Sequence, residues 1–165
     1  MHYYSSFETT DPAFEKVSGA GIFSNAPSLG TTARTGTQVI TNSTITTSYT
    51  GRAIQSVDCL ALLNDTDPLV GNIYGEASTA NGGNVISGRI KMLWFTDSGC
   101  TTPHSTADSV GTGATMIEGS YTAIGFNDTP PIGATHFKIR FEVHDNNGGS
   151  NAQDDWAADD VTVVQ

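Results

Sequence analysis

Positive charge is scarce in this sequence. Its 165 residues include 7 Lys and Arg against 17 Asp and Glu, which gives a formal net charge of −10 at pH 7. Nucleic-acid binding relies on lysine and arginine side chains that neutralise phosphates, and no such cluster is visible along the chain. The composition therefore argues against nucleic acid as a partner.

Long apolar runs and cysteines are also lacking. No run approaches the roughly 18 apolar residues that a membrane span needs, so we expect no contact with a membrane. The first residues, Met1–Ser6, have neither a basic segment nor an apolar one, and no secretory signal peptide is expected. Cys59 and Cys100 belong to no metal-binding spacing. We expect two buried free thiols, with one disulfide as the alternative.

The abundant residues favour strands. The chain has 18 Gly, many Thr, Ser and Asn, and only 15% charged residues, a composition that is poor in helix formers. The clearest period-two pattern runs from Phe137 to His144. One face would carry the apolar residues Phe137, Ile139, Phe141 and Val143, and the other Lys138, Arg140, Glu142 and His144, together with His136. We expect the first face to be buried and the second to be solvent-exposed.

Further strands are predicted between clusters of turn residues. They span Val57–Leu63, Leu69–Ala77, Val85–Phe95, Ser120–Phe126 and Trp156–Val164, with short strands possible at Tyr3–Phe7 and Gly21–Phe23. About eight strands without a helical pattern predict an all-β fold, an antiparallel β-sandwich of the jelly-roll type. We expect one domain over residues 1–165, in which residues 1–37 are a loop-rich stretch carrying the first short strands.

Several short motifs then occur in a fixed order. They are Phe7-Glu8 near the start, Gly88–Gly99, Gly119–Phe126, Pro131–Val143, and the closing segment Trp156-Ala-Ala-Asp-Asp-Val-Thr-Val163. In this order they resemble the jelly-roll carbohydrate-binding modules of families 4, 9 and 22. The resemblance is best from Val85 to Gln165. Two departures are Tyr121, where the family usually has Trp, and Ser5-Ser6, where it usually has Asn and Gly.

The resemblance implies one structural calcium ion. By residue match the candidate ligands are Glu8 and Asp160, with Asp159 as a weaker candidate. Ca²⁺ takes six to eight oxygen ligands, which carboxylates from adjacent strands and backbone carbonyls can supply. The alternative is a set of solvated carboxylates at the edge of a strand. No other cofactor is expected.

The resemblance also implies a sugar site, which would combine an exposed aromatic ring with hydrogen-bonding side chains. The candidates are Trp156, which follows an acidic loop and would have to be exposed, and Asp145, Asn147 and Asp155 beside it. Trp94 alternates with Ile90 and Met92 and is expected in the core. For each aromatic residue, Trp156 included, a place in the core or in an interface is the preferred interpretation, and a sugar-stacking ring is the alternative.

Catalysis is not expected. The acidic pairs lie in predicted loops, no pattern directs two carboxyl groups at one bond, and no nucleophile motif is present. A hydrolase or lyase on a sandwich scaffold is the last alternative.

Jelly rolls of this type without export signals are known on tailed-phage particles, and the first hypothesis follows from that. The protein would be a non-catalytic virion surface protein, most simply a phage capsid cement (decoration) protein that contacts capsid subunits and forms a homo-oligomer, guessed to be a trimer. Its interface would use the apolar residues of the N-terminal stretch, Phe14, Val17, Ile22, Phe23 and Leu29; the equal alternative is that these residues cover the domain's own core. The alternative is a carbohydrate-binding module, free or on a phage tail, with a glycan as its partner. The expected location is the virion surface, or otherwise the extracellular space.

Overall fold

Strands form all the regular structure that is described for this chain. The computed structural model describes residues 2–5, 14–18, 22–24, 34–35, 39–42, 52–77, 85–145 and 156–165. These residues contain no helix, and hence none that could cross a membrane. The strands are β1 (His2–Ser5), β2 (Phe14–Ser18), β3 (Ile22–Ser24), β4 (Val39–Asn42), β5 (Arg52–Ser56), β6 (Leu60–Ala61), β7 (Leu69–Ala77), β8 (Ile86–Phe95), β9 (Ser109–Val110), β10 (Ala114–Thr115), β11 (Thr122–Asp128), β12 (His136–Asp145) and β13 (Trp156–Val164).

The strands form two antiparallel sheets. Sheet A has the order β11-β7-β13-β4-β3, with β1 also paired to β13. Sheet B has the order β10-β8-β12-β5-β2, with β6 on β12 and β9 on β8. The all-β antiparallel sandwich predicted from the sequence is confirmed. The predicted bounds of β7 and β13 agree with the structure, those of β8 differ from it by one residue at the start, and those of β12 by one residue at each end.

The inward faces of the two sheets build one hydrophobic core. The alternation predicted for β12 places Phe137, Ile139, Phe141 and Val143 in that core. Trp94 packs on Phe137 with ring centroids 6.3 Å apart, which confirms its expected place in the core. Trp156 packs edge-on against Phe141 at 5.6 Å.

Trp156 lies in the core, in line with the preferred interpretation, and the exposed position that a sugar site would need is wrong, because β13 contains a bulge. Only 1% of this residue is exposed. Before the bulge the even-numbered residues Trp156 and Ala158 face the core, and after it the odd-numbered residues Val161 and Val163 do. The pairing with β7 shifts between Asp159 and Val161, and Asp160 has a φ of 43°. One extra residue in a strand reverses which side chains point inward, and this extra residue is not visible as a pattern in the sequence.

The two cysteines form a disulfide, so the expectation of free thiols is wrong. Cys59 directly precedes β6 and Cys100 lies in the turn after β8. Phe137 of β12 pairs with Leu60 on one side and with Trp94 on the other, so β12 brings both cysteines to the same end of sheet B. Their Cα atoms lie 5.5 Å apart in the bonded pair. The strand predicted over Val57–Leu63 is limited to β6, because it pairs only with the first two residues of β12.

The loop-rich N-terminal stretch contains more strand than the sequence suggests. β1 and β3 agree with the two short strands predicted there, within two residues. β2 was not predicted, and it forms the edge of sheet B by pairing with β5. Phe14, at the start of β2, lies in the core of the sandwich.

Candidate functional site

Four of the seven Lys and Arg residues of this acidic chain lie together on the outer face of sheet B. β8 contributes Arg89 and Lys91 to this face, and the adjacent β12 contributes Lys138 and Arg140. Acceptors from β12, β5 and β2 lie among them. We call this set the charged strip; it consists of Arg89, Lys91, Lys138, Arg140, Glu142, Gln55 and Glu15.

A buried ion pair lies at the centre of the charged strip. Glu142 and Arg89 are direct cross-strand partners. The Nε and Nη2 atoms of Arg89 lie 2.8 and 2.7 Å from the same carboxylate oxygen, Oε2 of Glu142. Two residues along β8, Lys91 lies opposite Arg140, and its Nζ reaches Oδ2 of Asp108, the residue before β9, at 2.8 Å. Pairs of opposite charge at directly opposed positions are favourable in a sheet and hold the side chains in place.

Hydrogen bonds continue the strip across β5 to β2. Arg140 donates from Nε and Nη2 to Gln55 Oε1, at 3.1 and 2.7 Å. Gln55 in turn donates to Glu15 Oε1 at 3.5 Å, and Lys138 Nζ lies 3.9 Å from the same oxygen. The strip thus runs perpendicular to four consecutive strands, over roughly 14 Å at the usual strand spacing.

The middle of this face is buried, which corrects the expectation of a solvent-exposed face. The side chain of Glu142 is 0% exposed, and Ser87 and Leu93 on the same face are buried as well. The second carboxylate oxygen of Glu142, Oε1, meets no hydrogen-bond donor within the described part of the chain. A buried ionised oxygen without a donor is costly, so Oε1 calls for a partner that the described residues do not supply.

Sequence reasoning found only part of the charged strip. It assigned Lys138, Arg140 and Glu142 to one face but did not connect them with Arg89 or Gln55. The signal was present in β8, where Ser87, Arg89 and Lys91 alternate with residues that face the core. The step from two alternating strands to one cluster requires knowing that β8 and β12 are neighbours.

The structure does not show the residues predicted for sugar binding as one site. Trp156 lies in the core and offers no ring for stacking. Asp145 ends β12, but its side chain lies outside the described residues. Asn147 and Asp155 also lie outside them.

A second polar cluster is built around the bulge of β13. Asp159 Oδ2 accepts hydrogen bonds from the backbone N–H groups of Arg34 (2.8 Å) and Thr35 (3.1 Å), and its Oδ1 accepts one from Asp160 N at 2.8 Å. The Arg34 guanidinium and the Thr35 hydroxyl contact the two carboxylate oxygens of Asp160. The guanidinium also lies 3.6 Å above the ring of Tyr74. The bulge thereby ties residues 34–35 to the outer face of sheet A.

This bulge was predicted to hold calcium, and the described residues do not fit that ion. Asp159 and Asp160 are surrounded by hydrogen-bond donors and a guanidinium, whereas Ca²⁺ requires six to eight oxygen ligands. Burial raises the pKa of Asp159 to about 6, against the lowering effect of its backbone hydrogen bonds. Among the described residues no group of three His, Cys, Asp or Glu could hold a metal ion. Glu8, the other candidate ligand, lies outside the described residues, so its part of the prediction is untested.

The residues predicted to form a protein interface have different positions. Phe14 is 5% exposed and packs in the core, which agrees with the alternative that such residues serve the domain's own interior. Ile22 and Phe23 lie on β3, the edge strand of sheet A, and their side chains are not described. Leu29 lies outside the described residues.

Comparisons with known proteins give similarity in structure only. No protein-family model matches the sequence, and no curated protein matches it. Among solved structures, the C-terminal family 22 carbohydrate-binding module of Clostridium thermocellum Xyn10B is 14% identical, with a TM-score of 0.64 over 98% of this chain and 91% of that one. The second family 22 module of Paenibacillus barcinonensis Xyn10C, described as a xylan-binding domain, is 12% identical, with a TM-score of 0.62 over 98% of both chains.

A longer structure shows where such a module occurs. A two-module fragment of Clostridium thermocellum Xyn10B, which joins a family 22 module to a GH10 module in complex with xylohexaose, is 13% identical with a TM-score of 0.61. It is matched over 98% of this chain but only 28% of its own length. At these identities the likeness establishes the fold. The chain has the jelly-roll fold of the carbohydrate-binding modules that its closing motif resembles.

Proposed function

We propose that the protein is a non-catalytic carbohydrate-binding module that holds a neutral β-linked polysaccharide along the charged strip. The observation that carries the proposal is the buried Glu142, whose Oε2 is fixed by Arg89 and whose Oε1 has no donor within the described residues; the proposal makes a ligand hydroxyl that donor. Several matched structures of this fold are described as xylan-binding or contain xylohexaose, which supports a β-1,4-linked glycan as the ligand.

The chemistry of the charged strip suits sugar hydroxyls. Each hydroxyl group is both donor and acceptor, and the strip presents acceptors at Glu142 and Gln55 beside donors at Arg89, Arg140 and Lys138. The donors and acceptors are already held by one another, so little side-chain entropy is lost when a ligand binds. Hydrogen bonds that involve a charged partner are also stronger than neutral ones.

A disulfide agrees with an extracellular location, which we include in the proposal. Such bonds persist in oxidising compartments and are rare in the cytosol. The location at a virion surface and the role as a capsid cement protein stay predictions from the sequence. Of the residues assigned to its interface, Phe14 serves the core and Val17 is 43% exposed.

The proposal is tested by affinity electrophoresis of the purified chain in gels that contain xylan or another neutral β-linked polysaccharide. We expect retardation by at least one of them, and weaker retardation of Arg140→Met and Lys138→Met, whose side chains lie at the more open part of the strip. Arg34→Met removes a cation outside the charged strip and is the control; once a thermal melt shows that it folds, it should be retarded like the parent. If no polysaccharide retards the parent, the proposed function is wrong, and binding to capsid shells becomes the next measurement.

A further inference from the structure

An open cavity lies beside β11, the edge strand of sheet A. It has a volume of about 470 Å³, within the range of small-molecule sites. Three segments line it: residues 70–72 of β7, residues 125–128 of β11, and residues 110–112, which begin at the last residue of β9. The cavity therefore lies where the edge of sheet A meets β9 of sheet B, and none of its lining residues belongs to the charged strip.

Each of the three lining segments contributes a glycine, and the one on β11 borders open space. Gly71, Gly111 and Gly125 all line it. A Cβ atom on Gly111 would lie 3.0 Å from the carbonyl oxygen of Gly125, so the 110–112 segment sits close against β11. A Cβ atom on Gly125 would meet nothing within 4 Å, so this glycine borders open space.

The side chains of the cavity combine an apolar wall with amide groups. Val70, Val110 and Phe126 supply apolar surface. Asn72, Asn127, Thr112 and Asp128 supply polar groups, and no cationic side chain is among the lining residues. The Oδ1 atom of Asn72 is buried and finds no donor in the described part of the protein, a state that ordinarily calls for a partner.

We infer that this cavity is a second binding site, independent of the charged strip, that takes a neutral saccharide of one or two rings. Amide groups both donate to and accept from hydroxyl groups, and the apolar wall fits the C–H face of a sugar ring. The net charge of −10 disfavours anionic ligands. The inference rests on the proposed function only for the class of ligand, since no residue is shared between the two sites.

The cavity can be filled without disturbing the fold. Gly125→Leu places a side chain in the open space that the glycine borders, and its φ is not in the left-handed region. Ala123→Leu is the matched control, because Ala123 is exposed, lies on the same strand two residues away, and does not line the cavity. Asn72→Ala removes the unpartnered amide oxygen.

The experiment is a titration of the ¹⁵N-labelled full chain with xylobiose, cellobiose and galactobiose, followed by amide chemical shifts. We expect saturable shifts at Asn72 and Gly125 with at least one disaccharide, and the same shifts in Ala123→Leu. Gly125→Leu should weaken the binding at least tenfold, and Asn72→Ala about two- to tenfold.

The result that would overturn the inference is the absence of saturable shifts at these amides, or their persistence in Gly125→Leu. Saturable shifts with methylamine but with no sugar would also overturn it, because the site would then take a cation. Glu142→Gln separates the two proposals. In this variant the disaccharide should still shift the amide signals of Asn72 and Gly125, whether or not the charged strip binds glycan.

Discussion

At the scale of single residues, carboxylates buried without contact to solvent are the notable feature of this sandwich. Glu142, Asp159, Asp160 and Glu76 are each 2% exposed or less. Three of them have described functions in holding the structure together: Asp159 and Asp160 hold residues 34–35, and Glu76 accepts a hydrogen bond from Gly119 N at 2.7 Å. Glu142 differs, because one of its oxygens lacks a donor among the described residues.

Asp159 should make the stability depend on pH. Its pKa is raised by burial to about 6 in the folded protein, from 3.8 in the ordinary carboxyl group. The folded state therefore binds a proton more tightly than the unfolded state, so this group destabilises the fold as the pH rises from about 4 through 6. In Asp159→Asn this contribution is absent. We expect the melting temperature of the variant, relative to the parent, to be higher at pH 8 than at pH 5.

The measurement is a thermal melt of both proteins at the two pH values, with Asp58→Asn at an exposed position as the control. Asp97 does not interfere with this comparison. Hydrogen bonds from the Thr102 and Thr101 side chains and backbone hold its pKa below the ordinary range, so its carboxylate stabilises the fold, and that stabilisation is lost only below about pH 4. If the melting temperature of Asp159→Asn differs from that of the parent by the same amount at pH 5 and at pH 8, Asp159 does not titrate in this window.

Substitution of two glycines by alanine tests the packing between the sheets. A Cβ atom on Gly88 would lie 2.7 Å from the Phe141 ring and 2.7 Å from Ile124 Cδ1, both in the core. We expect Gly88→Ala to lower the free energy of unfolding by about 1–3 kcal/mol through overpacking. Gly125→Ala meets open space and should change it by less than about 0.5 kcal/mol. Urea denaturation measures both, and equal effects would contradict the packing described here.

At the scale of elements, the disulfide is the strongest restraint on sheet B. It joins cysteines 41 positions apart, on either side of β12. The chain-entropy relation gives about 4 kcal/mol for a loop of this length. We expect Cys59→Ser/Cys100→Ser to lose about that amount in urea denaturation, and a reductant to destabilise the parent but not the double variant. A parent that is equally stable with and without reductant would contradict the bond.

The bulge in β13 gives a test of the calcium prediction. Arg34 and Thr35 occupy both oxygens of Asp160, so we expect EDTA to leave the melting temperature unchanged. A cation bound at a hundredfold excess over its Kd would instead add about 3 kcal/mol of stability that the chelator removes. A fall of several degrees with EDTA, absent in Asp160→Ala, would place a cation at the bulge together with residues outside the described part.

Local patterns predicted the elements better than they predicted the contacts between them. Period-two alternation, apolar runs and clusters of turn residues were sufficient for the fold class and for the long strands β7, β8, β12 and β13. They were not sufficient for the inward-facing Trp156, because a bulge at Asp160 reverses the face of the strand. The disulfide and the pairing of Glu142 with Arg89 depend on which strands become neighbours, and nothing in the spacing along the chain specifies that.

At the scale of the whole molecule, the two faces of the sandwich differ in chemistry. The outer face of sheet B concentrates cations of an otherwise acidic chain in the charged strip. The outer face of sheet A carries the bulge cluster, and the open cavity lies by its edge strand β11. A neutral polysaccharide meets no electrostatic barrier from the net charge of −10, unlike nucleic acid or another polyanion.

The most direct test of the central claim is a calorimetric titration of xylo-oligosaccharide and other β-1,4-linked oligosaccharides into the parent, Glu142→Gln and Glu118→Gln. Glu118 is exposed and lies outside the charged strip, so its variant is the matched control, and melts establish that all three chains fold. The account predicts that the parent and Glu118→Gln bind at least one oligosaccharide equally, and that Glu142→Gln binds it at least tenfold more weakly. Equal affinity in a folded Glu142→Gln, or no binding of any oligosaccharide by the parent, would contradict it.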